Sequence, residues 1–178
     1  MDKQQEKSLS LDVKFKFKDV FRYNVSVATK NIVNDIVMAI GLFVLIFFFY
    51  KMTITTEGID VYISKNITFL LVPILIFVLI PWRVWKITAT QMQLPAFAYG
   101  VRYEFSGDNI VLDLGEESEA MPWDLFVNII ETKNDFRLYV NKVSAQIIPK
   151  HNLGKDELDT LREIIKSSTT TDKYTLRS

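Results

Sequence analysis

Two stretches interrupt the mixture of polar and apolar positions found along the rest of the chain. Residues 36–50 (IVMAIGLFVLIFFFY) and 69–82 (FLLVPILIFVLIPW) contain no charged side chain. Extended to residues 32–52 and 67–85, they form helices of about 31 Å and 28 Å at 1.5 Å per residue. Both lengths match a hydrocarbon core of roughly 30 Å. Each stretch is apolar all round, whereas the surface helix of a soluble domain keeps one polar face. The pattern predicts a two-helix transmembrane hairpin: span one at 32–52, an extracytoplasmic loop at 53–66, and span two at 67–86.

The flanks fit this reading. Tyr50 and Tyr62 lie near the loop ends, and Trp82, Arg83, Trp85 and Lys86 close the second span as interface anchors. Asn34 and Asp35 open the first span. Asp35 is read as an interfacial cap at the helix start, with an intramembrane polar site as the alternative. Pro81 is expected to end the second span and Pro73 to kink it. Lys18, Arg22, Lys30, Arg83, Lys86 and Arg102 flank the outer ends, while the loop offers Lys51 and Lys65 against Glu57 and Asp60. Basic residues stay inside. The expected location is the inner (cytoplasmic) membrane, with two passes and both termini cytoplasmic.

Outside the spans the period becomes two. Leu9, Leu11, Val13, Phe15 and Phe17 alternate with polar residues, predicting a strand within an N-terminal segment 1–31 that ends in a juxtamembrane helix. Lys14, Lys16 and Lys18 then form a basic stripe, set against an anionic leaflet or blunting a sheet edge. Residues 87–98 read as a linker or short helix. In the domain 99–167, Val101, Tyr103 and Phe105 pair as a hairpin with Ile110, Leu112 and Leu114 across the turn 106–109. Further strands are expected near residues 119–122, 125–130, 136–140 and 144–148. An amphipathic helix follows, with Leu158, Leu161, Ile164 and Ile165 on one face. Residues 168–178 are expected to be a disordered tail. The fold class is α+β: an antiparallel sheet or partial barrel capped by a C-terminal helix, with the N-terminal strand available to join the sheet.

The run from Tyr103 through Phe105 to Ile110, Trp123, residues 129–132, Leu138-Tyr139 and Ile147-Ile148-Pro149-Lys150 resembles the YcxB-like family of bacterial membrane proteins. Its members carry two N-proximal transmembrane helices and a C-terminal domain similar to pleckstrin-homology folds. The resemblance implies a cytoplasmic pleckstrin-homology-like domain here, but no activity. The family often has Arg after the Pro-Lys pair, where this chain has His151.

Composition narrows the chemistry. The 178 residues hold 21 Lys+Arg and 21 Asp+Glu, no cysteine and one histidine. This balance excludes a strongly basic nucleic-acid binder. Thiolate chemistry and multi-histidine metal centres are excluded as well. His151 reads as a surface turn residue. Glu116, Glu117 and Glu119 read as a solvated hairpin tip, Trp123 as core or a partner-facing ring, and Gly107 and Gly115 as turn glycines. From Arg83 onward 12 Lys+Arg face 14 Asp+Glu, which disfavours strong anionic-lipid binding by the domain itself.

No catalytic set, cofactor or metal is expected. The leading expectation is a non-enzymatic, membrane-anchored module that binds or inhibits a protein partner. One alternative is an immunity protein meeting a membrane-targeting toxin through the loop. Another is a subunit of a homo-oligomeric pore or transporter with Asp35 and Pro73 at its centre.

Overall fold

The computed structural model describes residues 7–115 and 117–177. The chain forms two compact units, residues 21–89 and the segments on either side of them. Strand β1 (Leu9–Val13) is followed by helices α1 (Phe17–Ala28), α2 (Ile32–Ile54), α3 (Ile59–Gln91) and α4 (Pro95–Tyr99). Strands β2 (Val101–Phe105), β3 (Asn109–Asp113), β4 (Ser118–Pro122), β5 (Asn128–Glu131), β6 (Asp135–Tyr139) and β7 (Ala145–Pro149) come next. Helix α5 (Lys155–Ser168) and the short strand β8 (Tyr174–Thr175) complete the order.

The first unit is built from two four-stranded sheets, ordered β1-β2-β3-β4 and β7-β6-β5-β8. The sheets are not closed into a barrel. Period-two alternation sets the first sheet. Leu11, Val13, Val101, Tyr103, Phe105, Ile110, Leu112 and Met121 are buried, while Ser10, Asp12, Arg102 and Glu104 face out. The antiparallel register sets Asp12 opposite Arg102, and their side chains pair at 2.7 Å. The second sheet contributes Ile129, Phe136, Leu138 and Ile148 to the same core, closed by Leu161, Ile164 and Ile165 of α5. Glu157 accepts a hydrogen bond from the Gly154 N–H at 2.7 Å and holds the start of that helix. Gly100, at φ +95°, needs its missing side chain: a Cβ there would lie 2.7 Å from the Val13 carbonyl oxygen.

Three expectations change in this unit. The N-terminal strand ends at Val13, short of Phe17, because the Asp19 carboxylate accepts the Lys16 N–H at 3.0 Å and turns the chain into α1. Lys14, Lys16 and Lys18 are all exposed, but they follow the strand, sit in the turn and lie on the helix respectively, so they form no stripe on one strand. The tail is ordered where disorder was expected. β8 pairs in parallel with β5, Leu176 packs on the core, and the Arg177 N–H donates to Glu131 at 3.0 Å.

The second unit holds the apolar hairpin. Asn31 caps α2, its side-chain oxygen accepting the Val33 N–H at 3.0 Å. Asp35 lies in the first turn and is exposed; it is not the capping residue. The expected loop at 53–66 contracts to residues 55–58, since α2 runs to Ile54 and α3 begins at Ile59. A break survives at Asn66 (φ −114°, ψ 18°), whose side chain donates to the Tyr62 carbonyl at 2.9 Å. The helix then continues through Pro73 and Pro81 to Gln91, so Pro81 does not end it and the expected linker is helical to residue 91. Each proline removes one backbone donor from the helix ladder, but neither ends the helix. The two helices meet where Gly41 faces Ile76 and where the Phe48 and Tyr62 rings pack at 5.3 Å.

Candidate functional site

The densest polar feature of the sheet unit is centred on Glu131, which ends β5 facing inward. Its side chain is fully buried. Lys150 donates to Oε1 at 2.5 Å, Arg162 reaches both oxygens at 2.7 and 3.0 Å, and the Arg177 N–H reaches Oε2. Burial pushes the Glu131 carboxyl up. The bonds from Arg162, Lys150 and the Arg177 backbone outweigh that and hold it below the ordinary glutamate value. The cluster ties β5, the end of β7, α5 and the tail together. A second buried carboxylate, Asp135, accepts from Arg137 at 2.9 Å and from the Thr132 hydroxyl at 2.6 Å.

The family-motif residues are parts of this framework. Lys150 is the Glu131 partner and also sits 5.3 Å from the Phe136 ring centroid. Pro149 is buried at the end of β7. Tyr103 is buried, its hydroxyl donating to Gln146 at 3.2 Å, and burial pushes its pKa up. Phe105 and Trp123 share the core, and the Trp123 indole N–H donates to the Ser106 carbonyl at 2.9 Å. Trp123 is therefore not a partner-facing ring. His151 is exposed in the short turn after β7, as expected of a surface turn residue, and its Nε2 lies 2.8 Å from the buried Asp19 carboxylate. Glu117 and Glu119 are exposed, and Glu116 lies outside the described residues.

The outer edge of β4 is one of the sheet edges of this unit. It is the last strand of its sheet, and Ser118, Glu119, Ala120 and Pro122 are exposed while Met121 anchors it to the core. An edge strand presents unpaired backbone donors and acceptors. Among the described residues, no group of three or more His, Asp or Glu side chains is placed to hold a metal ion.

On the hairpin, Tyr50, Trp82, Arg83, Trp85 and Lys86 are exposed, and the two indoles stack with centroids 5.3 Å apart. Tyr62 is turned inward instead, its hydroxyl donating to the Phe48 carbonyl at 3.1 Å. Pro73 is buried and Asp35 exposed. Both helices are long and apolar enough to span a membrane, and only 11% of each apolar stretch is buried.

Residues 105–165 match the family model described as YcxB-like protein. The chain carries a YcxB-like domain. The matched stretch runs from the last residue of β2 into α5. The YcxB-like domain as folded is larger, since β1, the rest of β2 and β8 complete its sheets. No curated protein and no solved structure matches the chain.

Glu131, Arg162 and the Asp19–His151 pair escaped sequence reasoning. Each joins residues distant along the chain, and no local spacing marks such pairs. The one available signal was Glu131 itself, a charge directly after the largely apolar run 125–130.

Proposed function

We propose that the protein is a non-enzymatic membrane-anchored adaptor. The hairpin crosses the inner membrane with both termini in the cytoplasm. The YcxB-like domain, a pleckstrin-homology-like module, binds or inhibits a protein partner by accepting an extended segment at the β4 edge. The single observation that carries this is the exposed edge of β4, whose residues Ser118, Glu119, Ala120 and Pro122 face out. Strand addition uses such an edge for affinity. Exposed Glu117 and Glu119 favour a basic segment.

The membrane part draws support from the exposed apolar surface of α2 and α3, far larger than a soluble monomer ordinarily shows. The pairing of β1 with β2 supports an even number of crossings, because β1 precedes the hairpin and β2 follows it. Two sheets with α5 packed on their shared core support the pleckstrin-homology-like description. The toxin-immunity alternative draws less support, since only residues 55–58 separate the two helices. A pore centred on Asp35 and Pro73 has one exposed and one buried member.

The chain has no native cysteine, so single-cysteine labelling has no background. Gly58→Cys should react with an impermeant thiol reagent outside intact cells, and Glu117→Cys only after lysis; the reverse pattern overturns the orientation. For the partner, a photocrosslinking residue at Ala120 should yield one defined adduct that Glu119→Lys abolishes. An adduct formed equally well from Lys166 on α5, and indifferent to Glu119→Lys, would place the contact elsewhere.

A further inference from the structure

The hairpin unit contains a cleft of about 460 Å³ whose function the adaptor reading leaves open. It lies where α1, the first turn of α2 and the last third of α3 come together. Its polar wall includes Asn31, Asn34 and Arg83, and its apolar wall includes Leu79, Ile80 and Ile87. The Arg83 guanidinium has no partner among the described residues and is exposed. Asn31 spends its side-chain oxygen on the Val33 N–H, so its amide hydrogens remain free to donate. Asn34 is held in place by its bond to the Ala28 carbonyl at 3.1 Å, which leaves its side-chain oxygen able to accept from a hydroxyl. No carboxylate lines the cleft among the described residues; Asp35, next in sequence, is exposed and outside the lining.

We propose that this cleft binds the phosphate and glycerol backbone of an anionic phospholipid. The volume falls within the range of small-molecule sites. Arginine presents a planar fork that matches phosphate oxygens. The aliphatic wall is continuous with exposed Leu75, Val78 and Leu79 of α3, so an acyl chain leaving the cleft runs along the helix surface. A soluble phosphate makes no use of that wall, and a purely apolar ligand makes no use of Arg83. Cationic pockets between transmembrane helices at the cytoplasmic face suit lipid headgroups. The proposal rests on the membrane reading of the hairpin and adds to it a specific occupant.

The test uses the full chain purified in a neutral maltoside detergent, with bound lipid counted by native mass spectrometry. Phosphatidylglycerol should be retained about tenfold more tightly than phosphatidylcholine, the difference expected of one charge-assisted hydrogen-bonding pair. Arg83→Gln should erase that preference. Arg83→Lys should keep part of it, and Lys51→Gln, at the far end of α2, should keep all of it. Equal retention of both lipids by the unaltered protein overturns the proposal, as does a preference that survives Arg83→Gln. Displacement of phosphatidylglycerol by millimolar inorganic phosphate would reassign the cleft to a soluble anion and overturn the lipid assignment. Alkaline carbonate extraction separates failure of the anchor: both the unaltered chain and Arg83→Gln should stay with the membrane. Release of the unaltered chain would break the membrane reading instead.

Discussion

Phenylalanine is used in opposite ways in the two units. In the YcxB-like domain Phe126 and Phe136 have no exposed surface, and Phe105 has 1%. On the hairpin Phe43 is 69% exposed and Phe69 55%. The side chain is equally apolar in both cases, but in the domain the protein itself supplies the apolar surroundings. On α2 and α3 the protein leaves that task to something else. A helix apolar all round with most of its surface uncovered calls for an apolar solvent. Burial must therefore be judged by what surrounds the residue as well as by how much of it shows.

The sharpest break of the comparison is truncation of one ring in each unit. Phe136→Ala should destabilise the domain by about 3–5 kcal/mol, as aromatic-to-alanine changes in cores do. Hydrogen exchange at the β5, β6 and β7 amides reads this directly. Phe43→Ala should leave those amides unchanged. If both variants loosen the domain equally, the division into two differently solvated units is wrong.

Next in size is Glu131→Gln, expected to cost about 3 kcal/mol because Lys150 and Arg162 lose a buried counter-charge. The figure sits at the low end of such losses, since both cations are partly exposed and can rehydrate. Urea unfolding of the full chain in detergent, followed by Trp123 fluorescence with Trp82 and Trp85 replaced by Phe, is the measurement. The same carboxylate gives a pH signature. Its folded pKa is depressed, so its contribution is fully present above the ordinary value of 4.5 and is lost as pH falls through the lower folded value. The domain's urea midpoint should decline below that point, and Glu131→Gln should flatten the decline.

A charge placed on an exposed apolar position sharpens the contrast further. Ile46→Arg should cost about 2.5 kcal/mol of membrane insertion, the scale for arginine near a helix centre. A glycosylation-tagged translocation assay measures it. Val127→Arg, equally exposed but on the domain, should change stability by less than about 0.5 kcal/mol. The smallest effect belongs to Asp12→Asn: its bond to Arg102 is fully solvated, and the melting midpoint should not move.

Much of the architecture was legible because it depends on local periodicity. The β2–β3 hairpin follows from alternation at residues 101–114 and from turn residues at 106–109. Helix α5 follows from its apolar face, and the hairpin helices from unbroken apolar runs. What was missed depends on distant partners. Phe15 and Phe17 continue the alternation of β1, yet one bond from Asp19 to Lys16 ends the strand. The tail has the composition of a disordered segment, but the edge of β5 and the buried Glu131 give residues 174–177 places to dock. Pro81 carries a stop signal, yet α3 runs through it to Gln91. At the candidate sites, the polar wall around Arg83 joins residues from three helices, and the Glu131 cluster joins three elements and the tail.

The strand order of the first sheet also has consequences in time. Leu9 pairs with Phe105, so β1 leaves the ribosome before both hairpin helices and its neighbour emerges only after them. At about 5–20 residues per second, the wait lasts on the order of 5–20 seconds. During that interval β1 has apolar residues and an open backbone edge but no sheet to join. A chain whose hairpin enters the bilayer by only one helix would leave β1 and β2 in different compartments, unable to meet. On the proposed topology, completion of the sheet would therefore depend on both helices having crossed.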